Sequence, residues 1–293
     1  RKFLAGSRRQ KSAMNNWVKP VLKIILDAVF PPKCLACGRL FKLATANGAA
    51  QPGRAVTPIM DPFIEFYQLL SASCCPDCLK DFAAISPPIC ECCGMLFKGP
   101  RDDNHLCGEC LTQPKAFRMA RAAMVYDHPL MAVIHRFKYA GKTQLARPLG
   151  RLILGVYLRH WHNEKADLIL PVPLYPKKMR RRGFNQSYLL IDSWKSSEQA
   201  AQAAIDQRCP IPVEIDVLVR NKATSAQTGL GRQQRLQNIK GAFKVRIPEK
   251  VYGKKVLLVD DVYTTGATVN ECARVLLRAG ARLVDVLTVA RAV

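Results

Sequence analysis

From Phe117 onward the chain alternates short apolar runs with stretches in which apolar residues recur every three or four positions. Runs bounded by Pro and Gly read as strands, and a recurrence of i, i+3, i+4, i+7 reads as a helix with one apolar face. "RMARAAMVY" therefore predicts a strand. In "HPLMAVIHRFKYAG", Leu130, Val133, Ile134 and Phe137 make one helical stripe. "ADLILPVPL" predicts a buried strand stopped by prolines, and "FNQSYLLIDSWKSSEQAAQ" a helix. "VEIDVLVR", "KKVLLVDD" and "RLVDVLTVA" predict further strands. Between the last two lies a helix over 268–279 with Val269, Cys272, Ala273 and Leu276 on its core face, closed by Gly280. Alternation of this kind predicts an α/β fold: a mostly parallel sheet flanked by helices.

The first third of the chain reads differently. "WVKPVLKIILDAVFPP" places Val18, Leu22, Ile25 and Leu26 on one face, which predicts a short amphipathic helix. Lys19, Pro20, Lys23 and Asp27 interrupt it, so it falls short of the roughly 20 apolar residues of a membrane span. It also lacks the small-residue cleavage site of a secretory signal. "LATANGAAQPGRAVTPIMDPF" has no sustained period and reads as a loop or insertion.

Cysteine changes the picture most. Of 12 cysteines in 293 residues, all but Cys209 and Cys272 fall between Cys34 and Cys110. In a chain without export signals this argues for a reducing, cytoplasmic setting and for metal rather than disulfides. Four C-x2-C knuckles stand out: Cys34 and Cys37, Cys75 and Cys78, Cys90 and Cys93, Cys107 and Cys110. Two residues between thiolates let both sulfurs face one ion, and two knuckles complete a tetrahedral zinc site. Eight ligands make two structural Zn2+ sites, most simply by sequential pairing into two ribbons. Cys74, Cys92 and His105 adjoin these ligands and offer substitutes; buried cysteine cores or redox dithiols are the competing readings. The resulting division is a basic segment and helix over 1–33, a double zinc ribbon with an insertion over 34–115, and an α/β domain over 116–293.

Lys and Arg number 45 against 22 Asp and Glu, a formal charge of +23. This favours polyanionic partners without choosing among nucleic acid, nucleotides, phosphosugars and an anionic membrane surface.

The chemistry concentrates in "VLLVDDVYTTGAT", Val256 to Thr268. A strand ending in Asp260 and Asp261 sets two carboxylates at the carboxyl edge of the sheet, where open α/β folds bind ligands. Ionised carboxylates only accept hydrogen bonds, so they suit neighbouring hydroxyls such as those of a ribose, or Mg2+ through water. The following Thr264, Thr265, Gly266, Ala267 and Thr268 open a helix whose first N–H groups have no intrahelical partner, a phosphate site. A pentose with vicinal hydroxyls and a 5-phosphate satisfies both halves. Only 32 residues follow Asp261, too few for the rest of a response-regulator receiver, and there is no Walker P-loop.

These 13 residues resemble the phosphoribosyl pyrophosphate (PRPP) motif of type I phosphoribosyltransferases. The resemblance implies that Asp260 and Asp261 contact the ribose, that Thr264 to Thr268 wrap the 5-phosphate, and that Mg2+ accompanies PRPP. Together with "FPPKCLACG", "RFKYAGK", "PVPLYPKKMRRRGFNQ" and "SAQTGLGRQQRLQNIKGAF", in that order, the chain resembles the ComF (ComFC/GntX-like) family of competence proteins over nearly its whole length. It departs in a longer segment between Cys37 and Cys75. The resemblance implies a type I phosphoribosyltransferase-like domain behind a double zinc ribbon and a link to DNA uptake and transformation. The partners it implies are PRPP, single-stranded DNA and a competence helicase. Transfer of a phosphoribosyl group is the implied reaction class, but no residue stands out as a base for an acceptor, so no catalytic residue is assigned.

Two basic segments then acquire roles by resemblance. "PKKMRRRGFNQ" carries five cations in the six positions from Lys177 to Arg182. Its "PVPL" turn is similar to a pyrophosphate loop, which points to Pro173, Leu174, Lys177, Arg181 and Arg182. "QTGLGRQQRLQNIKG" is similar to the mobile loop of glutamine-dependent amidophosphoribosyltransferases, which points to Arg232 and Arg235. A solvated charged surface is the alternative for each. The same cations could track a nucleic-acid backbone, with Tyr139 as a stacking candidate, whereas Phe137 belongs to the core stripe and the His160/His162 pair to the surface.

Overall fold

The computed structural model describes residues 32–42, 62–97, 103–196, 211–223 and 238–293. The 18–26 helix, Cys209, Arg232, Arg235 and most of the 43–63 stretch lie outside them, as does the continuation of the predicted helix beyond Ser196.

A four-stranded, all-parallel sheet organises the fold, in the order β1 (Ala120–Val125), β6 (Leu283–Arg291), β5 (Lys255–Tyr263), β2 (Leu168–Pro171). Its strands are apolar runs because parallel strands covered on both faces have no solvent side to alternate with. The pattern of β5 and β6 is accordingly buried almost throughout.

Alternate residues of these strands feed two separate cores. On one face Leu257, Val259, Leu287 and Val289 join a cluster with α4 (Leu130–Tyr139), α5 (Ala146–His160) and α7 (Gln186–Asp192). Leu130, Val133, Ile134 and Phe137 are all fully buried in it, as the helical stripe predicts. On the other face Val256, Leu258, Val284 and Val286 pack with Val269, Cys272, Ala273 and Leu276 of α8 (Ala267–Arg278).

Each core also takes one cysteine group. Cys34, Cys75 and Cys78 fall in the first, with Phe66 and Leu70 of α1 (Pro62–Leu70); Cys90, Cys93, Cys107 and Cys110 fall in the second, with Phe117. Buried Arg151 of α5 reaches Glu65 of α1 at 3.3 Å and ties that helix down. The knuckles are finished by one-turn helices, α2 (Pro76–Lys80) and α3 (Gly108–Thr112).

Both edges of the sheet are covered by irregular chain. Segment 83–85 runs antiparallel along β1, with Ile85 N–H donating to Ala123 O at 2.9 Å and Val125 N–H to Ala83 O at 2.8 Å. Beyond β2, Ile169 N–H donates to Pro212 O and Glu214 N–H to Ile169 O.

The strand predicted over 213–220 is smaller than its sequence suggests. Val213 makes only an isolated parallel bridge to Ile169, and Leu218–Arg220 (β3) pairs antiparallel with Phe243–Val245 (β4) in a separate two-stranded sheet. Between them Asp216 is exposed, and Glu214 pairs with Lys250, so the run cannot lie inside a buried sheet.

Candidate functional site

Strand β5 runs two residues past the acidic pair, to Tyr263, because Val262 and Tyr263 still pair with Ala290 and Arg291 of β6. Asp260 and Asp261 are nevertheless near its carboxyl end, and both are buried, at 8% and 4% exposed. Each is held by a different element. The Ser187 hydroxyl at the start of α7 donates to Asp260 Oδ1 at 3.0 Å, and the Asp261 N–H donates to the same oxygen at 2.9 Å. Asp261 Oδ2 forms an ion pair with Lys138 Nζ of α4 at 2.7 Å.

Burial and the neighbouring Asp261 charge push the Asp260 carboxyl well above the usual carboxylate range, against the pull of Lys138 and the two hydrogen bonds. Burial works against the Lys138 ammonium as well, but Asp261 and then Asp260 outweigh it and hold its pKa above the ordinary lysine value.

After Tyr263 the chain turns through Thr264 and Thr265 into Gly266, which has φ of +73° and serves as N-cap of α8. Glycine is required there twice over. The left-handed backbone disfavours a side chain, and a Cβ would sit 2.2 Å from the Tyr263 hydroxyl. The Thr265 hydroxyl lies 3.4 Å from the Ala267 N–H, and no acidic residue occupies the first turn of this 12-residue helix. An anion is therefore favoured at its start by the helix dipole.

The basic segment lies close by. Pro173 is buried and Leu174 half-buried in the turn after β2, whose Val172 N–H donates to Val259 O at 2.9 Å. α6 (Pro176–Arg182) follows, with Lys177, Arg180 and Arg181 exposed. Arg182 turns inward: its guanidinium sits 5.0 Å from the Tyr139 ring centre and bonds the Gln186 side chain. This contact ties the basic helix to the C-terminal end of α4, the helix that carries Lys138. Asn185 fixes the junction between α6 and α7. Its Oδ1 accepts from Ser187 N–H at 2.9 Å and its Nδ2 donates to Val172 O at 3.1 Å.

Lys138, Ser187 and Arg220 are the site residues that sequence reading missed. The first two were in plain view within "RFKYAGK" and "GFNQS". Arg220 stacks over Phe243 and faces the field of Asp260, although burial pulls its pKa down first of all. Tyr139 is 58% exposed, Phe137 is buried, and His160 and His162 are at the surface.

The eight knuckle cysteines gather as Cys34, Cys37, Cys75, Cys78 and as Cys90, Cys93, Cys107, Cys110, each set with its sulfurs within 4.8 Å of one another. Tetrahedral zinc with Zn–S near 2.3 Å needs sulfurs about 3.8 Å apart. Cys37 to Cys75 measures 3.9 Å and Cys93 to Cys107 3.7 Å. In each set the first sulfur accepts backbone N–H groups: Cys34 from Ala36 and Cys75, Cys90 from Cys93 and Cys107, at 3.3–3.4 Å. The donor sets can thus hold one metal ion each.

Cys74 is buried with its thiol pushed up to about 12, and Cys92 contributes a carbonyl to Ala120 N–H at 2.6 Å. His105 stacks on Phe97 with ring centres 3.9 Å apart, its Nδ1 lying 3.1 Å from Asp103 O. Gly94, at φ of +67°, lets the second group approach the sheet; a Cβ there would meet Ala120 O at 2.8 Å. Buried Arg291 completes the approach. Its Nη2 is 3.3 Å from Cys93 Sγ and its guanidinium lies 4.2 Å from the Tyr263 ring centre, so the cysteine group, β6 and the loop after β5 meet at one residue.

The parallel sheet with its acid pair and glycine-opened helix defines an α/β protein of the phosphoribosyltransferase type, and the phosphoribosyl transferase domain family matches residues 196–292. The chain belongs to the ComF family of competence and DNA utilization proteins. It is 34% identical over 210 residues to DNA utilization protein YhgH of Escherichia coli O157:H7, covering 69% of this chain and 84% of that one. It is 33% identical over 225 residues to competence protein F of Haemophilus influenzae, covering 74% and 90%. Among solved structures, the glutamine PRPP amidotransferase of B. subtilis aligns over 53% of this chain and 30% of that chain, with 20% identity and a TM-score of 0.32.

Proposed function

We propose that this chain binds phosphoribosyl pyrophosphate, or a closely related pentose 5-phosphate, in the service of DNA uptake or utilization. The observation that carries this reading is the sequence of groups along β5 and α8: two buried carboxylates, then a left-handed glycine, then a helix start without an acidic residue. In this reading Asp260 and Asp261 accept hydrogen bonds from the ribose hydroxyls, and the N–H groups and hydroxyls over 264–268 hold the 5-phosphate. Lys177, Arg181 and Arg182, with the turn at Pro173 and Leu174, neutralise the diphosphate. Magnesium would come with the ligand's diphosphate. Arg232 and Arg235, outside the described residues, would add two further cations for the same ligand.

Transfer of the phosphoribosyl group to an acceptor is the reaction class this arrangement suits, since departing diphosphate would leave among cations. The eight cysteines would hold two zinc ions without an open coordination position, so their role is structural. The same reading keeps a basic segment at 1–33, the cysteine-rich region at 34–115 and the transferase-like domain at 116–293, in a cytoplasmic protein. Among the described residues no helix is long and apolar enough to cross a membrane.

Calorimetry with PRPP and magnesium tests the pocket. The parent should give binding heat and Asp260→Asn/Asp261→Asn should give none; equal heats would remove the acids from the site. Release of pyrophosphate in a screen of nucleobases and amines would identify an acceptor.

The exposed cations of α6 and the relatives' names favour a second reading, direct binding of single-stranded DNA or of a helicase that carries it. DNA affinity should then fall steeply with added salt, and a flat response would end it.

A further inference from the structure

Two adjacent carboxylates in a buried site need a cation or a shared proton to be compensated, and in the pentose-phosphate reading a divalent metal bound to the acids is one supplier. The structure offers another. Lys138 Nζ stands 2.7 Å from Asp261 Oδ2, with the lysine side chain 18% and the aspartate side chain 6% exposed. The lysine is delivered from α4, where the preceding Phe137 is fully buried and packs near Phe184 with ring centres 5.9 Å apart. Asp260, meanwhile, spends one oxygen on Ser187 and on its own neighbour's N–H. Lysine is a compact point charge with three donors, able to hold one carboxylate while still offering N–H to a ligand oxygen. A metal ion would have to displace it to reach Asp261 Oδ2.

We propose that Lys138 is the resident cation of the acidic pair, a positioning residue that sets Asp261 for the pentose hydroxyls without a divalent ion on the acids. This rests on the reading of the pair as the pentose subsite. Magnesium then belongs to the ligand's diphosphate alone, and a pentose carrying only its 5-phosphate binds without metal. Removing the ammonium leaves two buried acids uncompensated and turns them into a divalent-ion site, because carboxylate oxygens suit manganese and magnesium where thiolates do not.

Manganese alone, followed by electron paramagnetic resonance on the intact zinc-bearing protein, tests this first. The parent and Lys138→Arg should bind no manganese at the pair, whereas Lys138→Met should take up about one ion per chain, lost again in Lys138→Met/Asp261→Asn. Manganese uptake by the parent that Asp261→Asn abolishes would overturn the proposal, whether or not the methionine variant folds. So would a folded Lys138→Met that gains none.

Ribose 5-phosphate supplies the second readout. In magnesium-free buffer, with zinc left on the protein, the parent should bind it with an affinity that changes less than about twofold on adding magnesium. Lys138→Met should lose about tenfold in that magnesium-free buffer and recover when magnesium is added, which a merely structural ion pair would not produce. A parent that requires magnesium for ribose 5-phosphate would sink the inference. No binding of ribose 5-phosphate or PRPP under any condition would end the pentose-phosphate reading and leave the manganese result to decide the role of Lys138.

Discussion

The two cysteine groups share a construction and differ in what they touch. In both, the first sulfur of the set accepts an N–H from the third cysteine, closing the knuckles on each other. The first group packs into the core with α1 and α5, and its Cys37 is half-exposed beside Arg39. The second is buried at Cys90, Cys93, Cys107 and Cys110, and Cys93 meets Arg291, which stacks on Tyr263 beneath Gly266. The first group fastens a helical layer; the second also braces the loop that opens α8. Like chemistry therefore serves unlike purposes, decided by which sheet face receives it.

The largest test of this contrast is to remove each group. Structural zinc contributes on the order of 10 kcal/mol to folding, so either loss is severe locally. The parent should carry two zinc ions by elemental analysis, and Cys34→Ser/Cys75→Ser or Cys90→Ser/Cys107→Ser one each. Binding heat with PRPP should survive the first pair of substitutions and vanish with the second; equal outcomes would erase the distinction. Arg291→Leu should cost about 3 kcal/mol in urea unfolding, because it takes a buried cation from a thiolate and a ring together. Tyr263→Phe keeps the ring but removes the hydroxyl that bonds Arg291, and should cost about 1 kcal/mol, the scale of one hydrogen bond.

The smallest effect is a matter of pH. Backbone and side-chain hydrogen bonding at Arg39 holds the Cys37 thiol down to about 6, whereas burial pushes Cys74 up to about 12. A depressed folded pKa adds stability above the unfolded thiol value near 8.5, and that increment fades as pH falls through about 6. In the folded, zinc-bearing protein at pH 7, iodoacetamide should therefore mark half-exposed Cys37 ahead of buried Cys74, read by peptide mapping.

Much of the fold was legible because it is written in local periods. The stripe of α4, the apolar runs of β5 and β6 and the core face of α8 each declare themselves within a dozen residues. The knuckle spacing and the acid pair are likewise local. What escaped were meetings between distant segments: Lys138 with Asp261, Ser187 with Asp260, Arg291 with Cys93 across 198 positions. No period marks such pairs, since each residue alone reads as a charge or hydroxyl like many others. The small β3–β4 sheet escaped for another reason: three-residue strands are too short to show alternation.

The edge contact of segment 83–85 with β1 has a bearing on solubility. An uncovered parallel-sheet edge invites strands from other molecules, and here the cover is the stretch of chain strung between Cys78 and Cys90. On the proposal that both cysteine groups hold zinc, chains starved of it would loosen that cover at its two moorings and expose the rim of the sheet, so metal supply during synthesis would govern clumping as much as folding.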